Sequence, residues 1–364
     1  MGDDVSDQHA SIFGQPLEAR SLARVSGDLA AAGGVRLVEL ADGIERGIRV
    51  VEFRTGTGLA FEVLVDRAMD IGPAEYRGCS FGWRSPTGFR HPGLHENADE
   101  SGLSWLRSFS GLLVTAGLDH TLFPGEFDAA QYRYAPRARV EHSLHGRVAN
   151  IPARLIGYGR TWHREGCTLY AEGEVRQAAV FGEDLVLRRR VEAELGSSAI
   201  RIQDVVTNQG FVRTPHMFLY HVNVGWPLLD DGTEVRGSFG EILWQSESVA
   251  QQGAPSDRIW KPQSDFTEQV WEHRLVPDRS GYAFTEVVNP RLGVGLRMSW
   301  NVSEFPCYFQ WLNLREGNYA LGLEPSTHHV GGEAAARLDG SFLLLEPGES
   351  RTYQTLIELR TSAP

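Results

Sequence analysis

The sequence predicts an all-β protein built as one large antiparallel β-sandwich, and three observations predict it. Apolar and polar residues alternate with a period of two from about residue 35 to residue 360. Helical periodicity is scarce over the same span. Forty glycines and nine tryptophans suit a turn-rich β protein that carries aromatic platforms.

The last segment shows the alternation most cleanly. Tyr353, Thr355, Ile357 and Leu359 share one face, while Gln354, Leu356, Glu358 and Arg360 share the other. Residues 184–208 read as a hairpin. Its first arm alternates through Leu185, Leu187, Arg189, Val191, Ala193 and Leu195, and Gly196-Ser197-Ser198 supplies the turn. The second arm runs from Ala199 to Asn208 and ends at Gly210. Further strands are expected near 35–41, 47–55, 59–66, 168–178, 215–225, 281–288, 293–300, 305–312, 319–324 and 341–346. No linker, charge block or fixed-period repeat divides the chain, so residues 21–364 are expected to form a single domain behind a loosely ordered segment 1–20. The stretch 85–135 is rich in Gly, Pro, His and Asp and reads as long loops around a buried piece, Trp105 to Gly117.

Composition narrows the partners. A net charge of −12 argues against a nucleic-acid backbone or an anionic membrane, both of which attract basic surfaces. A neutral small molecule is compatible with it. Cys79, Cys167 and Cys307 are widely spaced and form no paired framework, which fits a reducing, cytoplasmic setting. The N-terminal residues lack the pattern of a secretory signal, and no apolar run approaches the ~20 residues a membrane span needs.

Four segments could carry chemistry. In Thr214–Pro227, His216 and His221 are five apart, an odd spacing that puts them on opposite faces of a strand and disfavours a two-histidine metal pair. His221 shares a face with Asn223, Met217 and Leu219; it reads equally as a core histidine bonded to a carbonyl and as a site residue. In Asn318–His329, the small residues Ala320 and Gly322 precede Glu324 on one face, leaving room for a ligand, and Pro325 is expected to stop the strand. Glu324 is otherwise an ordinary strand-end carboxylate, and His328 and His329 an ordinary solvated pair. In Glu141–Pro152, His145 and Arg147 would share a face if the chain is extended, with Gly146 allowing close approach; a basic surface loop is the plainer reading. In Val65–Gly72, Asp66 and Asp70 flank Arg67, either as a local ion pair or as groups that fix sugar hydroxyls. Trp105, Trp226 and Trp311 lie in or beside these segments, and an indole can stack on a pyranose although most tryptophans are core.

Five strings in one order carry a resemblance: Asp66-Arg-Ala-Met-Asp-Ile71, Gly111-Leu-Leu-Val-Thr-Ala-Gly117, Leu144-His-Gly-Arg147, Leu219-Tyr-His-Val-Asn223 and Leu321-Gly-Leu-Glu-Pro325. Together they resemble the aldose 1-epimerase (galactose mutarotase-like) superfamily, in its bacterial branch, from about residue 20 onward. The resemblance implies a supersandwich whose concave face holds a sugar. It implies His221 as general acid, Glu324 as general base and His145 as a substrate-orienting histidine. Arg147, Asn223, Arg67, Asp70 and Trp311 are then expected to line the sugar. The chain departs from the family where one string, His145-Gly-Arg-Val-Ala-Asn150, stands for two, and where Val222-Asn-Val-Gly225 replaces an aromatic run; this leaves the sugar and the reacting carbon open.

The implied reaction interconverts the anomers of an aldose by opening and reclosing its ring, which needs an acid and a base but no metal and no other cofactor. For His221 to act as the acid it must be protonated, and Asp70 is expected to raise its pKa. Two other classes stay open: an epimerase or isomerase acting at another carbon with a metal held by His216, His328 or His329, and a carbohydrate-binding protein without turnover. The expected partner is a small sugar, with a homodimer as a candidate assembly.

Overall fold

The computed structural model describes residues 11–130, 138–164 and 166–361. Three antiparallel sheets dominate it. A five-stranded sheet runs in chain order from Gly34–Glu39 to Cys79–Ser80. An eight-stranded sheet has the order Arg154–His163, Gly166–Ala178, Asp184–Glu194, Ala199–Asn208, Ser350–Thr361, Val294–Asn301, Tyr282–Asn289, Glu234–Gly237. A six-stranded sheet has the order Phe239–Gln245, Gln269–Leu275, Cys307–Asn313, Ala320–Ser326, Met217–Gly225, Leu113–Leu118. The all-β class and the antiparallel sheets expected from the sequence are therefore what the chain forms.

The strands Leu113–Leu118, Met217–Gly225 and Ala320–Ser326 of the six-stranded sheet are buried on both faces, and the period of two sorts their side chains. Phe218, Tyr220, Val222 and Val224 join Leu321, Leu323, Tyr308 and Leu312 in the main core against the other sheets. Met217, Leu219, His221 and Asn223 take the opposite face, as do Ala320, Gly322 and Glu324 on the neighbouring strand. That second face is the floor of the site described below.

Several expected strands match closely, among them Ala199–Asn208 and Asp184–Glu194. Others were not expected. Leu113–Leu118 is buried throughout with Thr115 as its one polar side chain, so it shows no alternation to read. Arg154–His163 is an edge strand broken by Gly157 and Gly159. The strand expected at 341–346 shortens to Leu344–Leu345, and a short helix, Gly332–Asp339, precedes it. Residues 1–10 of the segment expected to be loosely ordered lie outside the described residues. Residues 11–20 do not fit that expectation. Ser11–Ile12 pairs with Gln15–Pro16, and Ile12 is buried in the main core because Gly56 leaves it room. Among the described residues no helix is long and apolar enough to cross a membrane.

Candidate active site

Strand register brings the two expected catalytic residues together. Val222 pairs with Leu323 and Leu219 with Ser326, so His221 lies directly across from Glu324. Their side chains rise from the same face, and His221 Nε2 is 3.2 Å from Glu324 Oε1. Pro325 does not stop the strand; it continues to Ser326 and pairs with Tyr308, since proline sacrifices only its own N–H. The room left by Gly322 is used by the pair itself. A Cβ there would sit 2.7 Å from Glu324 Oε1 and 2.8 Å from His221 Cε1, closer than atoms can approach.

Above the pair opens a cavity of about 570 Å³, within the range of small-molecule sites. His145, His221 and Glu324 are on its wall. Trp83, Trp105, Phe109, Phe309 and Trp311 supply much of the rest. His145 reaches it because the chain turns sharply, with φ of 58° at His145 and 73° at Gly146. Trp105 packs against both histidines, 4.6 Å from the His145 ring and 5.8 Å from the His221 ring. Trp311 is pinned by its indole N–H, which donates to Glu268 Oε2 at 2.8 Å. Among the described residues no Lys or Arg lines the cavity.

Burial sets the protonation of the pair. Glu324 is held well above the ordinary carboxyl range, first by loss of water and then by the nearby carboxylate of Glu268. His221 is pushed the other way, well below the ordinary imidazole value, by burial and by the neighbouring His145. Burial likewise holds His145 down at about 3. Both shifts favour the neutral forms, a protonated Glu324 and an unprotonated imidazole, whereas the sequence expectation was a protonated His221. His221 Nδ1 and His145 Nδ1 are buried polar atoms with no hydrogen-bond partner among the described residues, and the His221 contact at Glu324 Oε1 is close but not aligned as a hydrogen bond. Such atoms are rare in native interiors and call for a ligand or water to complete them.

This arrangement can be set beside known proteins. Residues 45–359 match the family model "Domain of unknown function (DUF4432)". The chain belongs to that family. Solved structures with the same fold include one described as a "putative aldose 1-epimerase" from Klebsiella pneumoniae subsp. pneumoniae MGH 78578, at TM-score 0.81 and 22% identity over 90% of this chain and 83% of that one. A galactose mutarotase-like protein from Clostridium acetobutylicum aligns at TM-score 0.62 and 11% identity, covering 91% of this chain and 99% of that one. A galactose 1-epimerase from Lactobacillus acidophilus NCFM aligns at TM-score 0.56 and 11% identity, covering 91% and all (100%) of the two chains. No curated protein matches the sequence. At these identities the likeness establishes the fold.

In this DUF4432 chain the other expected site residues divide. Trp311 lines the cavity. Arg147 does not: the turn at His145 breaks the extended geometry that would have kept the two on one face, and Arg147 pairs with the buried Glu183 beside a neighbouring cleft. Asn223 is wholly buried beside the pair, its amide donating to the carbonyls of Gly111 and His221. Arg67 spends its guanidinium on the carbonyls of Ala149, Arg90 and Ser108. Asp70 accepts from Thr115 and pairs with Arg189 within the core, so it does not raise the pKa of His221. Asp66 is bound to Arg49.

His216 lies on the opposite strand face, as its spacing required, between Leu118 O and Tyr353 Oη. His328 contacts Thr327 and Leu343 N, and His329 pairs with Glu272; none of these three histidines lines the cavity. Trp226 is 69% exposed and also stands apart from it. Sequence reasoning missed Trp83, Phe109 and Glu268. Phe109 falls within the piece expected to be buried between Trp105 and Gly117, but Trp83 and Glu268 sit in segments with no polar pattern to mark them.

Proposed function

We propose that this chain is a carbohydrate epimerase that interconverts the anomers of a small, uncharged sugar. One observation carries the reading. A buried Glu324–His221 pair, with unpartnered polar atoms, faces an aromatic-walled cavity of sugar size on whose wall the described residues include no Lys or Arg. Aromatic faces suit the C–H faces of a pyranose. A wall whose described residues carry no Lys or Arg offers phosphate or sulfonate no fixed positive charge.

In this reading the roles are the reverse of the sequence expectation, supported by the opposite directions in which burial moves the two groups. Neutral His221 takes the proton of the C1 hydroxyl while protonated Glu324 delivers its proton to the ring oxygen, and the C1–O5 bond breaks. The open-chain aldehyde turns about C1–C2. On reclosure His221 returns its proton to the carbonyl oxygen, and Glu324 recovers one from the O5 hydroxyl. The cycle restores the starting pair without any external proton donor, metal or other cofactor, and each group contributes on the order of 10²–10⁴-fold. His145 is placed to orient a hydroxyl. Proton NMR exchange spectroscopy on a panel of free aldoses tests the reading. Cross-peaks between anomers, faster with protein than without, are expected for at least one neutral aldose. A sugar that binds, by line broadening, yet shows only the uncatalysed exchange rate would instead make the chain a carbohydrate-binding protein.

A further inference from the structure

Three buried ligating side chains stand outside this machinery. His120 follows the strand Leu113–Leu118, His142 ends the strand Arg139–His142, and Glu333 begins the helix Gly332–Asp339. One ligand atom from each lies within 4.8 Å of the other two. The two imidazoles stack with centroids 4.7 Å apart and planes 6° from parallel.

Outer contacts fix how His120 and Glu333 point. His120 Nε2 is 2.9 Å from the carbonyl oxygen of Phe123, which can only accept, so Nε2 carries the hydrogen and Nδ1 is turned to Glu333. Metal-binding histidines usually donate their second N–H in this way. Arg337 Nε donates to Glu333 Oε1 at 2.8 Å, which leaves Oε2 to face His120. His120 Nδ1 and Glu333 Oε2 then stand 3.4 Å apart. A charge-assisted hydrogen bond would close to about 2.7–2.9 Å. Two ligand atoms, each about 2.0–2.1 Å from one tetrahedral ion, lie roughly 3.4 Å apart. The gap has the length of a coordination edge. A second cluster, Glu272, Cys307 and His329, makes the contrast, because there His329 Nδ1 is already closed onto Glu272 as a direct hydrogen bond.

We propose that His120, His142 and Glu333 form a binding site for Zn²⁺ or a similar divalent transition-metal ion. Two imidazoles and a carboxylate are the donors such ions prefer, and three protein ligands leave a fourth position. His142 also lines the cleft that holds Arg147, which gives that position a way out. The ion would act as a clamp. It joins the segment carrying Leu122 and Phe123 to the helix that follows Val330, and all three of these residues line the sugar cavity. The site stands independently of the chemistry proposed above.

The test uses the full-length protein stripped with a chelator, then titrated with Zn²⁺ by calorimetry and with Co²⁺ by absorption. The expected result is one ion per chain, a tetrahedral Co²⁺ spectrum and a thermal midpoint that rises with Zn²⁺. Glu333→Gln and His142→Asn should each weaken binding by at least about ten-fold, and Arg337→Gln by about ten-fold through loss of carboxylate orientation. His329→Asn should leave binding unchanged. Stripped wild-type protein that is folded by circular dichroism but takes up no stoichiometric ion overturns the proposal. So does an affinity that survives His142→Asn, or one lost in His329→Asn. If Glu333→Gln fails to fold, His142→Asn and the wild-type Co²⁺ spectrum decide.

Discussion

Tyr220 and His221 are neighbours on one strand, and the two buried polar groups they belong to are built in opposite ways. On the core face Tyr220 donates to Asp204, and Arg189 joins Asp204 to Asp70 with bonds of 2.9, 2.6 and 2.7 Å. Thr115 completes Asp70 from its backbone and its hydroxyl. Every charge there has an opposite charge in contact. On the other face His221 and Glu324 have, among the described residues, no opposite charge in contact beyond each other, burial favours the neutral form of both, and polar atoms are left unmatched. The completed network is what a structural role requires. The incomplete pair is what a reacting partner requires, because a group already satisfied has nothing to offer a substrate.

The comparison is broken most forcefully through the network. Arg189→Met leaves Asp70 and Asp204 buried without their cation and should cost about 3–5 kcal/mol of stability. Denaturant melts would show it, and a loss under about 1 kcal/mol would mean that the network is not what holds these sheets in place. Glu324→Gln and His221→Asn should do the reverse: folding is preserved while anomer exchange falls by on the order of 10²-fold or more. The double variant should be little worse than either single one, since the two groups act in one step. Near-normal exchange in Glu324→Gln would sink the assignment.

Acidity sharpens the contrast further. The folded-state pKa of Glu324 is raised, so its contribution to stability is full below the ordinary value of 4.5 and is lost as pH climbs toward the folded value. His221 is depressed, so its contribution is present above 6.5 and is lost as pH falls from there toward its folded value. Relative to wild type, Glu324→Gln should therefore gain stability as pH rises above 4.5, and His221→Asn as pH falls below 6.5. Melts across this range that run parallel for all three proteins would remove the neutral-pair reading. The smallest effect belongs to His216→Asn. It loses a hydrogen bond to Leu118 or Tyr353, about 1 kcal/mol, and should leave exchange untouched. A folded but inactive His216→Asn protein would move the site to the other face.

The sandwich and its central pair were legible because both depend on alternation. Period two placed His221 and Glu324 on definite faces, and the odd spacing separated His216 from them. The registry that set the pair across from one another is a long-range fact with no local signal; only the resemblance hinted at it. Arg147 was misjudged because a positive φ at a non-glycine residue, His145, cannot be read from residue type. Asp70 and Arg67 were misjudged for a different reason. Sequence shows a charge but not whether another chain segment, here Arg189 or the Ala149 and Ser108 carbonyls, already answers it.

The placement of His221 and Glu324 on paired strands has a consequence for descent. Their separation is fixed by backbone pairing in the middle of a sheet, and Gly322 beneath them tolerates no side chain, so neither spacing nor angle can drift without loss of the sheet. The walls come from elsewhere: Trp105, Phe109, Phe123 and His145 sit on connecting segments, where substitutions and insertions are absorbed. Relatives of this chain should therefore diverge in the guest they admit long before they diverge in what is done to it.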